Sequence, residues 1–338
     1  VIFKYNAPWH PLKSVCLGDT YPEDFYRDVR NNQVRDMLQT ISRETQEDFN
    51  YIKSIFKSLN IEVVRPSLDN QDSIMNYVDC NNRLTFDKTG TYSLIPKPPM
   101  QPRDSQLIVA DVFWATNSDI NLYKKSGIDF LPDCVLPESD QFDAPLVTVI
   151  GKHIICDQKD VPGLGKLIEN SFLEHTIIPV DIGGHNDAVF APIKPGLLIS
   201  SHYKNCYQDS FPGWEVYHLP DQSWNAMTHW RKEKHSNTTK WWIPDEQNNT
   251  DFSNFVDTWL CHWLGYASET VFDVNMLVID EKHVLVNNYH KGLFEYFKKH
   301  QIEPIITPFR HRFFWDGGIH CITSDLYREG VAEKYIKL

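Results

Sequence analysis

The sequence predicts an α/β protein made of one strand–strand–helix–strand unit used about five times, and three observations predict it. The same order of elements recurs in separate windows along the chain. The strands are short apolar runs closed by glycine or proline turns, and the helices between them carry apolar residues at helical spacing. The 338 residues are 41% hydrophobic and 13% aromatic, enough for the core of one large domain.

Taken in order, "LKSVCLGDT" opens the chain as a strand, "EDFNYIKSIFKSLN" belongs to a long helix, and "IEVVRP" is a strand stopped by proline. "SQLIVADVFWATN", from Ser105, supplies a strand pair. Leu146–Val180 reads as strand, turn at Gly151, strand, helix, strand. The stretch from Asp187 gives that order again, with its turn at "KPG". Val274–Pro308 repeats it with a turn at "DEKH" and a helix that carries Leu293, Phe294, Tyr296 and Phe297. No single unit can bury both its apolar faces, so the units must pack on one another. Five around an axis would share a core, with their loops meeting at the centre; an open α/β sheet fits the repeats equally well. The polar segment 223–252, with Trp224, Trp230, Trp241 and Trp242, interrupts the pattern and reads as an insertion: a lid, a binding wall, a subunit contact or a flap without a chemical role.

Composition excludes several classes of function. A net charge of −12 repels phosphate backbones, so nucleic acid is not an expected partner. No run reaches transmembrane length, and "VIFKYNAPWHPLKSV" does not read as a signal peptide. The seven cysteines are odd in number, widely spaced and free of CxxC pairs. That usage fits a reducing, cytoplasmic setting better than a disulfide framework, and no cluster at metal-ligand spacing occurs. No cofactor is expected.

Chemistry is concentrated in "WDGGIHCITSDL", where Cys321 follows the pair Gly317–Gly318. A thiolate on an exposed elbow is a nucleophile; a cysteine beside a turn is also an ordinary core residue. If the segment is a strand, His320 faces away from Cys321, and the partner histidine must be a distant one. "IGGHNDAVF" supplies it: His185 follows a second glycine pair, and on a strand Asp187 would share its face. Asp143 in "FDAPLVTVIG" could orient that histidine. "PRDSQLIVAD" puts Arg103 and Asp104 at the entrance to another strand.

The ordered set "FDA" with a glycine eight residues after its aspartate, "GHNDAVF…KPGLLIS" and "GGIHCITSDLYREG" resembles the glycine amidinotransferase family, and "APWHPLKSVCLG" and "MQPRD" resemble its N-terminal half. The resemblance covers nearly the whole chain outside the tryptophan-rich segment. It implies the pentein fold, a five-bladed α/β propeller, as a single domain over 1–338. It implies Cys321 as nucleophile, His185 as general acid/base and Asp143 as the partner of that histidine. Asp104 and Asp187 fall on carboxylates that grip a guanidinium. Lys204 falls where the family commonly has an arginine for the donor's α-carboxylate, and Ser268 and Glu269 fall on two serines at the donor's amino-acid end. Lysine keeps the charge and loses the bidentate fork, and Glu269 replaces a hydroxyl with an anion, so the donor's identity is open. The resemblance implies small-molecule partners, an arginine-like donor and an amine acceptor, with no metal, and leaves a homodimer open. The alternatives are a hydrolase of the same fold (deiminase or dimethylarginine hydrolase type), a non-catalytic binder of arginine-like ligands, and, more weakly, a cysteine protease.

Overall fold

The protein, as a computed structural model, is described for residues 2–66, 68, 73–74, 95, 97–116, 134–136, 144–157, 164–182, 184–220, 246, 249–260, 263 and 273–338. Asp143, Ser268, Glu269 and most of the expected insertion at 223–252 lie outside these residues.

Among the described residues, five three-stranded sheets form from the repeats. In chain order the strands are β1 (Leu12–Leu17), β2 (Glu62–Val64), β3 (Gln106–Val109), β4 (Val112–Thr116) and β5 (Cys134–Leu136). β6 (Val147–Ile150), β7 (His153–Asp157), β8 (Thr176–Val180), β9 (Phe190–Lys194) and β10 (Leu197–Ser200) follow. β11 (Glu215–His218), β12 (Leu277–Val278), β13 (His283–Val286), β14 (Glu303–Ile306) and β15 (Thr323–Arg328) complete the set.

Each middle strand runs antiparallel to the strand before it and parallel to the strand after it: β4 between β3 and β5, β7 between β6 and β8, β10 between β9 and β11, β13 between β12 and β14. A tight turn suffices for the antiparallel step, whereas the parallel step needs a crossover. Left-handed residues make the turns at Ala110, Gly151 and Gly196. Among the described residues, helices supply crossovers at Leu164–Ser171 between β7 and β8 and at Lys291–Lys299 between β13 and β14. The first sheet obeys the same rule by joining the two ends of the chain. β1 is parallel to β2, and its antiparallel neighbour is the C-terminal β15.

The long helix Asn32–Ser58 starts where the Asn31 side chain accepts the Gln33 and Val34 amides. Val34, Leu38, Ile41, Thr45, Phe49, Ile52 and Phe56 recur at three- and four-residue steps, and all are buried. From this face Thr45 Oγ1 accepts the indole N–H of Trp315 at 2.9 Å, which ties the helix to the segment that carries Cys321. Trp315 also stacks on Trp263, with ring centroids 6.1 Å apart.

A cavity of about 70 Å³ is lined by one strand of every sheet, through Leu107 on β3, Val149 on β6, Ala191 on β9, Leu277 on β12 and Asp325 on β15. Arg103, Asp187 and His320 line it too.

Candidate active site

Cys321 sits in a turn before β15, not in the strand. The short helix Arg312–Trp315 ends at Asp316, whose φ of 52° is left-handed. Gly317 and Gly318 follow, and neither has a positive φ. Close approach requires them instead: a Cβ on Gly318 would lie 2.5 Å from Asn275 Oδ1, and one on Gly317 would lie 2.9 Å from Gln101 Nε2. Packed protein fills the space that the two glycines leave.

A buried turn must find partners for its backbone groups. Gln101 Nε2 donates to the carbonyls of Trp315 (2.6 Å) and Asp316 (2.9 Å). The Ile319 amide donates to Asn287 Oδ1 at 3.0 Å. The amides of His320 and Cys321 both donate to Asn275 Oδ1, at 2.9 and 3.2 Å. Arg103 Nε donates to the carbonyls of His320 (2.9 Å) and Thr323 (3.0 Å), while its Nη2 reaches Asp325 Oδ2 at 3.0 Å. The turn is therefore held by the "MQPRD" segment on one side and by the start of the β12–β13 unit on the other.

Cys321 Sγ is buried, and Asn275 and Asp187 meet it with opposite character. Asn275 Nδ2 donates to it at 3.0 Å, and its S–H points to Asp187 Oδ2 at 3.5 Å. The same Asp187 oxygen accepts His320 Nδ1–H at 2.7 Å. Asp187 lies in the short helix Asn186–Val189, just after His185 at its N-terminal boundary, rather than on a strand. Burial alone would raise the pKa of its carboxyl. The hydrogen bond from His320, the positive charge that His320 and His185 carry when protonated, and Arg103 outweigh burial and hold it down at about 2. For His320, burial and the Arg103 charge push the pKa below the usual histidine range, against Asp187 and Asp325. We take the pair as an ionised Asp187 with a neutral His320, because the neutral ring still donates Nδ1–H to the carboxylate.

Of the expected site residues, the structure brings Asp187 to Cys321 and puts His185 close enough to act on the Asp187 charge. Asp104 is in the Pro102–Ser105 turn next to Arg103, on the segment that clasps the cysteine turn. Lys204 Nζ donates to the Ile182 carbonyl at 2.5 Å, on the stretch that leads into His185. The expectation that His320 faces away from the chemistry fails. It rested on strand alternation, and the residue lies in a turn. Sequence reasoning also missed Asn275, a fully buried amide just before β12, and the Arg103–Asp325–Arg328 series, in which Arg328 Nη2 meets Asp325 Oδ1 at 3.0 Å. The available signal was polar residues inside otherwise apolar strand runs, in "DVNMLVID" and "ITSDLYREG".

No protein-family model matches the chain. It is 22% identical, over 97% of its length and 90% of the relative's, to an L-arginine:L-lysine amidinotransferase of Pseudomonas savastanoi pv. phaseolicola. A mitochondrial glycine amidinotransferase of Xenopus laevis is 28% identical over 156 residues, 45% of this chain and 29% of that protein. The chain is a relative of the amidinotransferases. That finding bears out the resemblance in the motifs and, with it, the enzyme class. Among solved structures, the inosamine-phosphate amidinotransferase of Streptomyces griseus shares the fold, with a TM-score of 0.61 at 18% identity over 99% of both chains. A dimethylarginine dimethylaminohydrolase from Pseudomonas aeruginosa is a more distant match, with a TM-score of 0.53 at 9% identity, covering 93% of this chain and 98% of that one. Among the described residues, no helix is long and apolar enough to cross a membrane.

Proposed function

We propose that this amidinotransferase relative moves the amidino group of an arginine-like guanidine to an acceptor amine, through a covalent amidino-cysteine at Cys321. One observation carries the proposal. A buried thiol lies 3.5 Å from Asp187 Oδ2, and the other oxygen of that ionised carboxylate has no hydrogen-bond partner among the described residues. A guanidinium offers paired N–H donors to such a carboxylate, which would hold the guanidino carbon beside sulfur. Asp104, from the adjoining segment, is the second carboxylate of this grip, and Lys204 serves the donor's carboxylate end. Ser268 and Glu269 complete the donor site.

In the first half-reaction the thiol proton passes to His185, with Asp143 holding that ring. The Sγ–C bond forms, the C–N bond to the leaving amine breaks, and His185 delivers the proton to the departing nitrogen. In the second, the acceptor nitrogen attacks the amidino carbon and loses a proton to His185. The S–C bond breaks and sulfur takes the proton back, so atoms and charge balance and ping-pong kinetics follow. The L-arginine:L-lysine relative supports an amino-acid amine as acceptor. We also read the five sheets as blades of one closed propeller, a single domain over 1–338 with the insertion at 223–252; the cavity shared by one strand of each sheet supports this.

The test is arginine labelled at the guanidino carbon, mixed with the protein and with glycine, lysine or other amines, and read by mass spectrometry. Ornithine plus a labelled guanidino product is the expected result. Labelled citrulline formed without any dependence on an amine would make the protein a hydrolase and overturn the reading.

A further inference from the structure

Asn275 does two things at once. Its Oδ1 accepts the amides of His320 and Cys321 at 2.9 and 3.2 Å, so the oxygen end of the carboxamide is fixed by two N–H donors. The other end must then be the NH2, and it points at Cys321 Sγ from 3.0 Å. Asn275 is itself fully buried. Its main chain is pinned as well, since Asn287 Nδ2 donates to its carbonyl at 2.7 Å. The glycine before the cysteine turn belongs to this arrangement: any Cβ at Gly318 would collide with the Asn275 carboxamide.

We propose that Asn275 is a further catalytic residue, whose side-chain N–H stabilises Cys321 as a thiolate and aims the sulfur. The inference rests on the reading of Cys321 as the nucleophile. In the resting protein the thiol proton is directed at Asp187. Once a cation occupies that carboxylate, the S–H loses its acceptor and the proton can leave. The sulfur then carries a charge in a buried site, where an aimed donor is worth more than in water. Asn275 supplies that donor without moving, because its oxygen is already committed to the turn. It supplies the same donor when sulfur leaves in the second half-reaction. Among the described residues, the charged and titratable groups around the sulfur include Asp187 and His320, with His185, Arg103 and Asp325 acting through them. The proposal adds a neutral donor to that set.

The experiment reads the thiol alone, so it stands whether or not amidino transfer is found. The rate at which iodoacetamide alkylates Cys321 is followed by peptide mass spectrometry from pH 5 to 10, for the wild type, Asn275→Asp, Asn275→Ala and Asn287→Ala. Asn275→Asp keeps an acceptor for the two turn amides and replaces the donor at sulfur with a carboxylate oxygen. We expect its melting temperature to stay near wild type and its alkylation at pH 7 to slow by roughly tenfold or more, with the pH midpoint displaced upward. Asn275→Ala, read the same way, covers the case in which the aspartate variant does not fold. Asn287→Ala removes the brace behind Asn275 without touching sulfur, and should lower the melting temperature while leaving the alkylation midpoint in place. A wild-type midpoint in the Asn275 variants, or an equal displacement in Asn287→Ala, would overturn the proposal and leave Asn275 as a brace for the turn. Loss of the thiolate effect and loss of the transferase reading are separable, since labelled-arginine turnover in the wild type reports only the second.

Discussion

At the scale of single residues, the site opposes charges within a few ångströms. Asp187 is ionised against the cost of its own burial, and it faces a thiol whose anion it would repel. A ligand that brings positive charge would relieve that repulsion. Two predictions follow at this scale. Cys321→Ala should abolish transfer by roughly 10⁴-fold or more with little change in folding, while Asp187→Asn, of the same shape but neutral, should lower kcat/KM by about 10²–10³-fold. Turnover of labelled arginine, beside a thermal melt of each variant, measures both. The pH dependence has a definite sign. A carboxyl held down at about 2 stays charged above that pH, so Asp187 contributes no limb to the kcat/KM profile between pH 4 and 9. An acid limb found in that range that persists in Asp187→Asn belongs to another group, whereas one that disappears in the variant would mean that Asp187 titrates there after all.

At the scale of elements, much was legible because each repeat carries its own punctuation. Gly151 and Gly196 occupy left-handed turns where the sequence predicted them, and Leu293 and Phe297 bury the predicted face of their helix. The pairing of β15 with β1 was not legible, since its partners sit at opposite ends of the chain and nothing local encodes their register. The cysteine turn was misread for a related reason. "HCITSDLYR" looks like a strand throughout, but its amides and the one just before them donate to distant Asn275 and Asn287, its carbonyls and those just before it accept from Gln101 and Arg103, and its first residues stay in a turn. Propensity lost to tertiary contacts there, and His320 gained a role that alternation denied it. The glycine pair stands out in the sequence, and what requires it is packing against side chains from elsewhere in the chain. Gly318→Ala should therefore cost about 1–3 kcal/mol by crowding Asn275, and should slow Cys321 alkylation as well. Urea unfolding with the alkylation assay tests this, and an unchanged alkylation rate would separate the glycine from the site.

At the scale of the whole molecule, β1 and β15 join segments far apart in the sequence, and two groups at that joint make it sensitive to change. Arg328, almost fully buried on β15, donates to the carbonyls of His10 (2.6 Å), Ile279 (3.4 Å) and Val278, and pairs with Asp325. Arg328→Met should cost about 3–5 kcal/mol in urea unfolding, because three carbonyls lose a charged donor and the buried Asp325 is left with Arg103 alone. His10 lies against Gly330, where a Cβ would strike its ring, and its Nε2 is 3.0 Å from Tyr335 Oη on the C-terminal segment. Burial, then the charges of Arg328 and Lys4, push the His10 pKa down to about 4. Burial, then Lys204 and His218, do the same to His202, also to about 4. Between that value and the ordinary one near 6.5, the unfolded chain takes up protons that the native fold refuses. Stability is then full above about pH 6.5 and falls as the pH drops toward 4. His10→Asn, with no titrating ring at the joint, should flatten that fall when melting temperature is followed from pH 7.5 to 4.5, and His10→Asn with His202→Asn should flatten it further. An equally steep fall in the double variant would place the acid sensitivity in other histidines that burial holds below their ordinary pKa, such as His153, His175 and His311.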